Sequence, residues 1–102
     1  SGSGPAYMFL FIEALQAAGC ELGFSEDTAY LLALQTAFGA AKMALESEEN
    51  ASMLRQRVTS PGGTTERAIH ILQEGGFKEL VSNALHAAAE RSRELASEFG
   101  SE

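Results

Sequence analysis

The chain has 102 residues, the length of a single domain with a small core. With 45% hydrophobic and 21% charged residues, its composition is globular and excludes disordered and disulfide-dense classes. The formal net charge of −7 argues against nucleic acid and anionic membrane surfaces as partners, because both require clustered Lys and Arg.

The first half of the chain predicts two apolar helices. Helix one begins at Pro5, where the missing N–H costs nothing, and extends to about residue 18, with Gly19 near its end. Helix two begins after Ser25, a favourable N-cap, and extends to about Glu46. Its apolar residues surround the cylinder instead of forming one stripe, so this helix must be buried on most sides.

Two such helices carry more apolar surface than one small core can cover. A transmembrane span is disfavoured, because Glu13, Gln16 and the segment 21–27 interrupt any run of about 20 apolar residues. We therefore expect a homodimer in which the apolar helices of two chains cover one another, with Gly39 allowing close helix approach.

The second half predicts three further helices. Asn50 is expected to cap a short helix over about 51–58, and helix four extends from about Thr64 to Glu74. Gly75-Gly76 is typical of a left-handed C-terminal cap, and an amphipathic surface helix five begins near Phe77. Since no strand pattern occurs, we predict an all-α fold, a bundle of about five helices interlocked with a second chain.

The loop Ser60-Pro61-Gly62-Gly63-Thr64-Thr65 leads into helix four. The first N–H groups of a helix lack backbone partners and carry partial positive charge, so they attract anions. The two glycines free the backbone for positive φ and leave room for a carboxylate or phosphate. Ser60, Thr64 and Thr65 add up to three hydroxyls, so several donors converge on one spot.

A simpler interpretation of this loop also stands. Ser60 or Thr64 would only cap helix four while Pro-Gly-Gly turns the chain, and Ser/Thr caps are common. The loop has neither GxxxxGK[ST] spacing nor a GxGxxG fingerprint after a strand, so nucleotide binding by this domain alone is disfavoured.

Four motifs resemble the pyrroline-5-carboxylate reductase family, in its order and spacing. They are the opening Gly2-Ser3-Gly4-Pro5-Ala6-Tyr7, the Gly39-Ala40-Ala41-Lys42-Met43 of helix two, the run Val58-Thr59-Ser60-Pro61-Gly62-Gly63-Thr64-Thr65, and the Gly75-Gly76-Phe77 junction. The motifs span nearly the whole chain, and the run VTSPGGTT is quite specific.

The resemblance implies that residues 1–102 form the helical C-terminal dimerisation and substrate-binding domain, without the family's preceding Rossmann domain. It implies an enzyme that reduces 1-pyrroline-5-carboxylate to L-proline with NADPH or NADH, the last step of proline synthesis. Each pocket of the family forms at the dimer interface, and dimers associate into decamers in many members. The isolated domain is expected to be inactive and to hold no cofactor.

The resemblance also implies roles for residues of the loop. By position, Ser60, Gly62, Gly63, Thr64 and Thr65 are expected to bind the substrate carboxylate through N–H groups and hydroxyls. The Thr65 hydroxyl, the one catalytic side chain expected, would hydrogen-bond the ring nitrogen. Catalysis would then rest on positioning and electrostatics, with no covalent step or metal.

Three residues outside the loop also match family positions. Glu48 corresponds to a position near the substrate amine, although its acidic neighbours make a solvated turn the alternative. Ser3 and Pro5 match the interdomain segment and are expected to approach the nicotinamide end, although SGSG also fits a linker.

Other candidate sites have simpler explanations. His70 and His86 lie 16 residues apart with one cysteine in the chain, so no metal site is expected. Cys20 cannot form an internal disulfide, which suits a cytoplasmic location. Two non-catalytic functions remain as alternatives: a helical dimerisation module, and a partner-binding module with an exposed apolar groove.

Overall fold

The computed structural model describes residues 3–100, so Gly2 of the opening motif lies outside the described residues. Five helices follow in order: α1 Gly4–Glu21, α2 Glu26–Glu46, α3 Ala51–Arg57, α4 Thr64–Glu74 and α5 Phe77–Gly100. Residues 3–100 contain no strand, which confirms the predicted all-α class. None of these helices is both long and apolar enough to cross a membrane.

The chain divides into two compact units, Ser1–Leu54 and Arg55–Glu102. In the first unit, α1 and α2 pack against each other as a helical hairpin. The predicted N-cap of α2 is confirmed, since the Ser25 hydroxyl oxygen accepts a hydrogen bond from the Thr28 N–H at 3.2 Å. The predicted cap of α3 is confirmed in the same way, with the Asn50 Oδ1 accepting from the Met53 N–H at 2.9 Å.

Helix α1 ends three residues later than the predicted end at about residue 18. The helix continues to Glu21, and the left-handed turn falls at Gly23, whose φ is +108°. Gly19 instead lies where the two helices approach closely, since a Cβ built on it would lie 3.0 Å from the Ala29 Cβ. Packing between helices, and not helix termination, therefore explains a glycine at this position.

Burial inside the first unit is limited to small areas. Among the described residues only Ile12, Ala29 and Ala33 are buried. Large apolar side chains of the same helices stay exposed, including Phe9 at 64% and Phe38 at 69%. Because burying one such side chain contributes about 1.5–3 kcal/mol, these helices leave a large part of their hydrophobic stabilisation unrealised within the chain.

The second unit contains α4 and α5, joined at Gly75-Gly76. Gly76 has a φ of +83°, and the N–H groups of Gly75 and Gly76 donate to the Ile71 and Gln73 carbonyls at 3.0 and 3.1 Å. The predicted left-handed cap is confirmed, with Gly76 as the left-handed residue. Helix α5 buries none of its described residues, and its apolar face remains open at Leu80, which is 68% exposed.

The contact between Gly19 and Ala29 leads to a prediction about stability. Alanine in a helix interior is favoured over glycine by about 1 kcal/mol, but overpacking costs about 1–3 kcal/mol. We expect Gly19→Ala to lower the free energy of unfolding by about 1 kcal/mol net. Urea unfolding followed by helical circular dichroism, at one fixed protein concentration, measures the change.

The matched control moves the methyl group across the interface. In Gly19→Ala/Ala29→Gly the new Cβ has room, so a double-mutant cycle should show favourable coupling of about 1 kcal/mol. Strictly additive effects of the two substitutions would contradict the close contact between these residues.

Candidate functional site

The loop between α3 and α4 forms a hydrogen-bonded turn. The Gly63 N–H donates to the Ser60 carbonyl at 3.0 Å, and Gly62 has a φ of +71°. Proline at the second position and a positive-φ glycine at the third are typical of a type II turn. The Thr59 hydroxyl donates to the Arg55 carbonyl at 2.5 Å, so the end of α3 is satisfied just before the turn begins.

The glycines serve the turn in two different ways. Positive φ was expected at both, but only Gly62 adopts it, whereas Gly63 is extended with φ −87° and ψ −179°. Gly63 is favoured for space, because a Cβ built there would make a tight contact of 3.2 Å with the Ser60 carbonyl oxygen. The turn thus brings the carbonyl oxygen of Ser60 close to Gly63, the N-cap residue of α4.

The N-terminus of α4 has no side-chain cap. Its N-cap residue is Gly63, so neither Ser60 nor Thr64 caps the helix as the simpler interpretation proposed. Within residues 3–100 the N–H groups of Thr64 and Thr65 have no acceptor, and the hydroxyls of Ser60, Thr64 and Thr65 have no partner. This end of α4 therefore retains open hydrogen-bonding capacity where the helix dipole favours an anion.

Two of the expected backbone donors are already engaged. The Gly63 N–H is held by the Ser60 carbonyl, and the Gly62 N–H donates to the Glu66 Oε1 at 2.9 Å. In the described part of the chain, the backbone N–H groups left without an acceptor at this end of α4 are those of Thr64, Thr65 and Glu66, and substrate binding by Gly62 and Gly63 stays a prediction.

A cavity of about 270 Å³ lies beside the turn, lined by Gly62, Gly63, Glu66, Arg67 and His70. From the sequence, Gly62 and Gly63 were expected to bind substrate, His70 was considered only as a metal ligand, and Glu66 was overlooked. The missed signal was a glutamate at the third position of a helix, from which a carboxylate reaches back to N-terminal N–H groups. Arg67 has no ion-pair partner among the described residues, so the cavity holds one open positive charge.

The remaining candidate residues lie in the first unit. Glu48 is exposed between α2 and α3, in a turn where the Glu49 N–H donates to the Ser47 hydroxyl oxygen at 3.0 Å. Ser3 is the N-cap residue of α1, and its hydroxyl oxygen accepts from the Tyr7 hydroxyl at 3.1 Å. Pro5 occupies the first turn of α1, as expected.

No cluster of three or more His, Cys, Asp or Glu side chains in residues 3–100 is arranged to hold a metal ion. The described loop carries hydroxyl and amide donors, which suit an anion.

Residues 1–95 match the family model for pyrroline-5-carboxylate reductase dimerisation. A pyrroline-5-carboxylate reductase of Pseudomonas aeruginosa is 58% identical over 98% of this chain, and the match covers 37% of that protein. A solved pyrroline-5-carboxylate reductase of Coxiella burnetii, 58% identical, superposes with a TM-score of 0.90 over 93% of this chain and 35% of its own.

A solved pyrroline carboxylate reductase of Plasmodium falciparum, with NADP bound, is 41% identical and superposes with a TM-score of 0.88. That match covers 90% of this chain and 35% of the Plasmodium chain. The chain thus spans somewhat more than a third of the length of the relatives it matches.

The left-handed conformation of Gly62 leads to a prediction about the turn. An alanine there pays about 1–2 kcal/mol for the left-handed backbone, whereas asparagine tolerates this conformation better. We expect Gly62→Ala to lower the free energy of unfolding by about 1 kcal/mol and Gly62→Asn to lower it less. Urea unfolding compares the three proteins, and equal stability of all three would contradict the described turn.

Proposed function

The chain belongs to the family of pyrroline-5-carboxylate reductase dimerisation domains, and from that premise we propose that it is the C-terminal domain of an enzyme that reduces 1-pyrroline-5-carboxylate to L-proline. The observation that carries this proposal is the uncapped N-terminus of α4, with open donors on Thr64 and Thr65 beside the Ser60–Gly63 turn. A substrate carboxylate matches both the partial charge and the hydrogen-bonding capacity of this site.

Two groups of the proposed substrate need recognition by this domain. The carboxylate binds at the N–H groups of Thr64 and Thr65, with the Ser60 and Thr64 hydroxyls as further donors. The Thr65 hydroxyl, on an exposed residue of the first turn of α4, orients the ring nitrogen of the imine. Holding both groups fixes the C=N carbon in one position, which lowers the entropic part of the barrier.

We propose NADPH or NADH as the reductant, supported by the NADP in the Plasmodium relative. When bound, the reduced nicotinamide supplies the hydride. Residues 3–100 contain no strand and hence no glycine-rich turn between a strand and a helix to hold the dinucleotide phosphates. Ser3 and Pro5, at the start of α1, are proposed to approach only the nicotinamide end.

Glu48 is proposed to lie near the substrate amine, where a carboxylate favours the cationic ring nitrogen. Its motif position supports this role, together with its exposed placement between α2 and α3. Glu48 belongs to the unit Ser1–Leu54 and the loop belongs to Arg55–Glu102, so the proposal for Glu48 stands apart from the geometry of the loop.

We propose that the domain forms a homodimer, in which the apolar helices of two chains interlock, and that these dimers assemble further into decamers. The exposed apolar side chains of α1 and α2 support the first step, because an obligate interface resembles a domain core cut in half. The single Cys20 permits no internal disulfide, which supports action in a reducing compartment such as the cytoplasm.

The role of Thr65 is tested by Thr65→Ala in the full-length reductase. We expect a fall in kcat of about tenfold to a hundredfold, because the lost hydroxyl orients the imine of the substrate. The affinity for the cofactor should change little, because this hydroxyl is not expected to contact the cofactor. Steady-state kinetics with varied substrate and varied cofactor measure both effects. Thr65→Ser keeps the hydroxyl and should retain most of the activity, whereas an unchanged rate in Thr65→Ala would contradict the assignment.

The dimer is tested at Gly39, in the middle of α2. A Cβ built on Gly39 meets nothing within 4 Å, so the chain alone predicts that Gly39→Ala stabilises the helix by about 1 kcal/mol. If a partner helix packs closely there, the added methyl group instead weakens self-association. We expect sedimentation to show a dimer for the wild type at micromolar concentration and more dissociation for Gly39→Ala. A stable wild-type monomer would contradict the dimer.

A further inference from the structure

Glu66 makes a side-chain hydrogen bond to the backbone of the loop that follows α3. Its Oε1 accepts from the Gly62 N–H at 2.9 Å, four residues back along the chain. Gly62 is also the residue with left-handed φ in this turn, so the bond holds a backbone conformation that residues with a side chain rarely adopt. A carboxylate acceptor makes such a bond stronger than one between two neutral groups.

We propose that Glu66 is a positioning residue for substrate binding, an inference that rests on the function proposed above. Glu66 ties Gly62 of the turn to the first turn of α4, while the bond from the Gly63 N–H to the Ser60 carbonyl closes the turn itself. The turn then keeps one conformation while the Thr64 and Thr65 N–H groups stay open. A preorganised loop loses less entropy when the substrate carboxylate binds.

Glu66 also selects which donors serve the substrate. Because the Gly62 N–H is already used, the carboxylate is directed to the helix N–H groups of Thr64 and Thr65. A negative charge beside an anion site carries an electrostatic cost. Arg67 lines the same cavity and has no ion-pair partner among residues 3–100, so its guanidinium offsets that cost.

A different role would explain Glu66 by charge alone, since any acid in the first helical turn favours the helix dipole. The two roles make opposite demands on the side chain. Positioning requires an acceptor oxygen at the reach of glutamate and tolerates loss of charge. A dipole role requires the negative charge and tolerates a shorter side chain. Glu66→Gln and Glu66→Asp therefore separate the two roles.

The experiment measures kcat and KM for 1-pyrroline-5-carboxylate in the full-length reductase carrying this domain. We expect Glu66→Asp to raise KM about fivefold with kcat changed less than about twofold, because the shorter carboxylate no longer reaches Gly62. Glu66→Gln keeps the reach and an acceptor oxygen, so its KM should stay within about twofold of the wild type. Glu74→Asp and Glu74→Gln, on exposed Glu74 at the end of α4, are the matched controls and should change neither constant.

A second measurement reads the hydrogen bond directly. Amide hydrogen exchange at Gly62 should accelerate in Glu66→Asp and stay near the wild-type rate in Glu66→Gln, with the exchange at Gly76 as an internal reference. The positioning role is overturned if Glu66→Asp matches the wild type in KM and exchange, or if Glu66→Gln is the impaired variant. A wild-type enzyme without reductase activity would instead remove the proposed function, and the role of Glu66 with it.

Discussion

The shortage of burial within the chain is the constraint on which the other features depend. Helices α1 and α2 bury only Ile12, Ala29 and Ala33, with Gly19 close to Ala29, while most of their large apolar side chains stay exposed. Such helices are stable only when another apolar surface removes these side chains from water. The same constraint agrees with the match of this chain to a dimerisation family and supports the homodimer proposed above.

The loop before α4 combines rigidity with open hydrogen-bonding capacity. Its own backbone groups are satisfied: the Gly63 N–H by Ser60 and the Gly62 N–H by Glu66. The helix that follows is left without a side-chain cap, because glycine at the cap position brings no oxygen. A cap of serine or aspartate would stabilise α4 by about 1 kcal/mol, but its oxygen would occupy an N–H group that the proposed substrate needs. In the proposed site, the helix end thus gives up the stability of a cap and keeps its N–H groups available for a carboxylate.

In the proposed reaction, this domain has one set of roles and the part of the relatives that this chain does not cover has the other. In the proposal, the described residues supply donors for the carboxylate and a hydroxyl for the ring nitrogen, and the hydride comes from a cofactor that this domain approaches at one end only. No side chain here needs to act as a nucleophile or to change protonation. Catalysis by this half of the site is therefore a matter of position, and a shift of the turn would affect it as much as loss of a contacting group.

Periodicity and end signals in the sequence determined the class, the order and most bounds of the five helices, because Pro5, Ser25, Asn50 and Gly76 act through contacts a few residues away. The family motifs predicted that the substrate site includes the loop before α4. Tertiary packing decided that Gly19 is a contact residue, since its role depends on Ala29 in another helix. The structure also decided which N–H groups stay open, because the pairing of Glu66 with Gly62 and the absence of a cap at Gly63 depend on three-dimensional geometry that residue types leave undetermined.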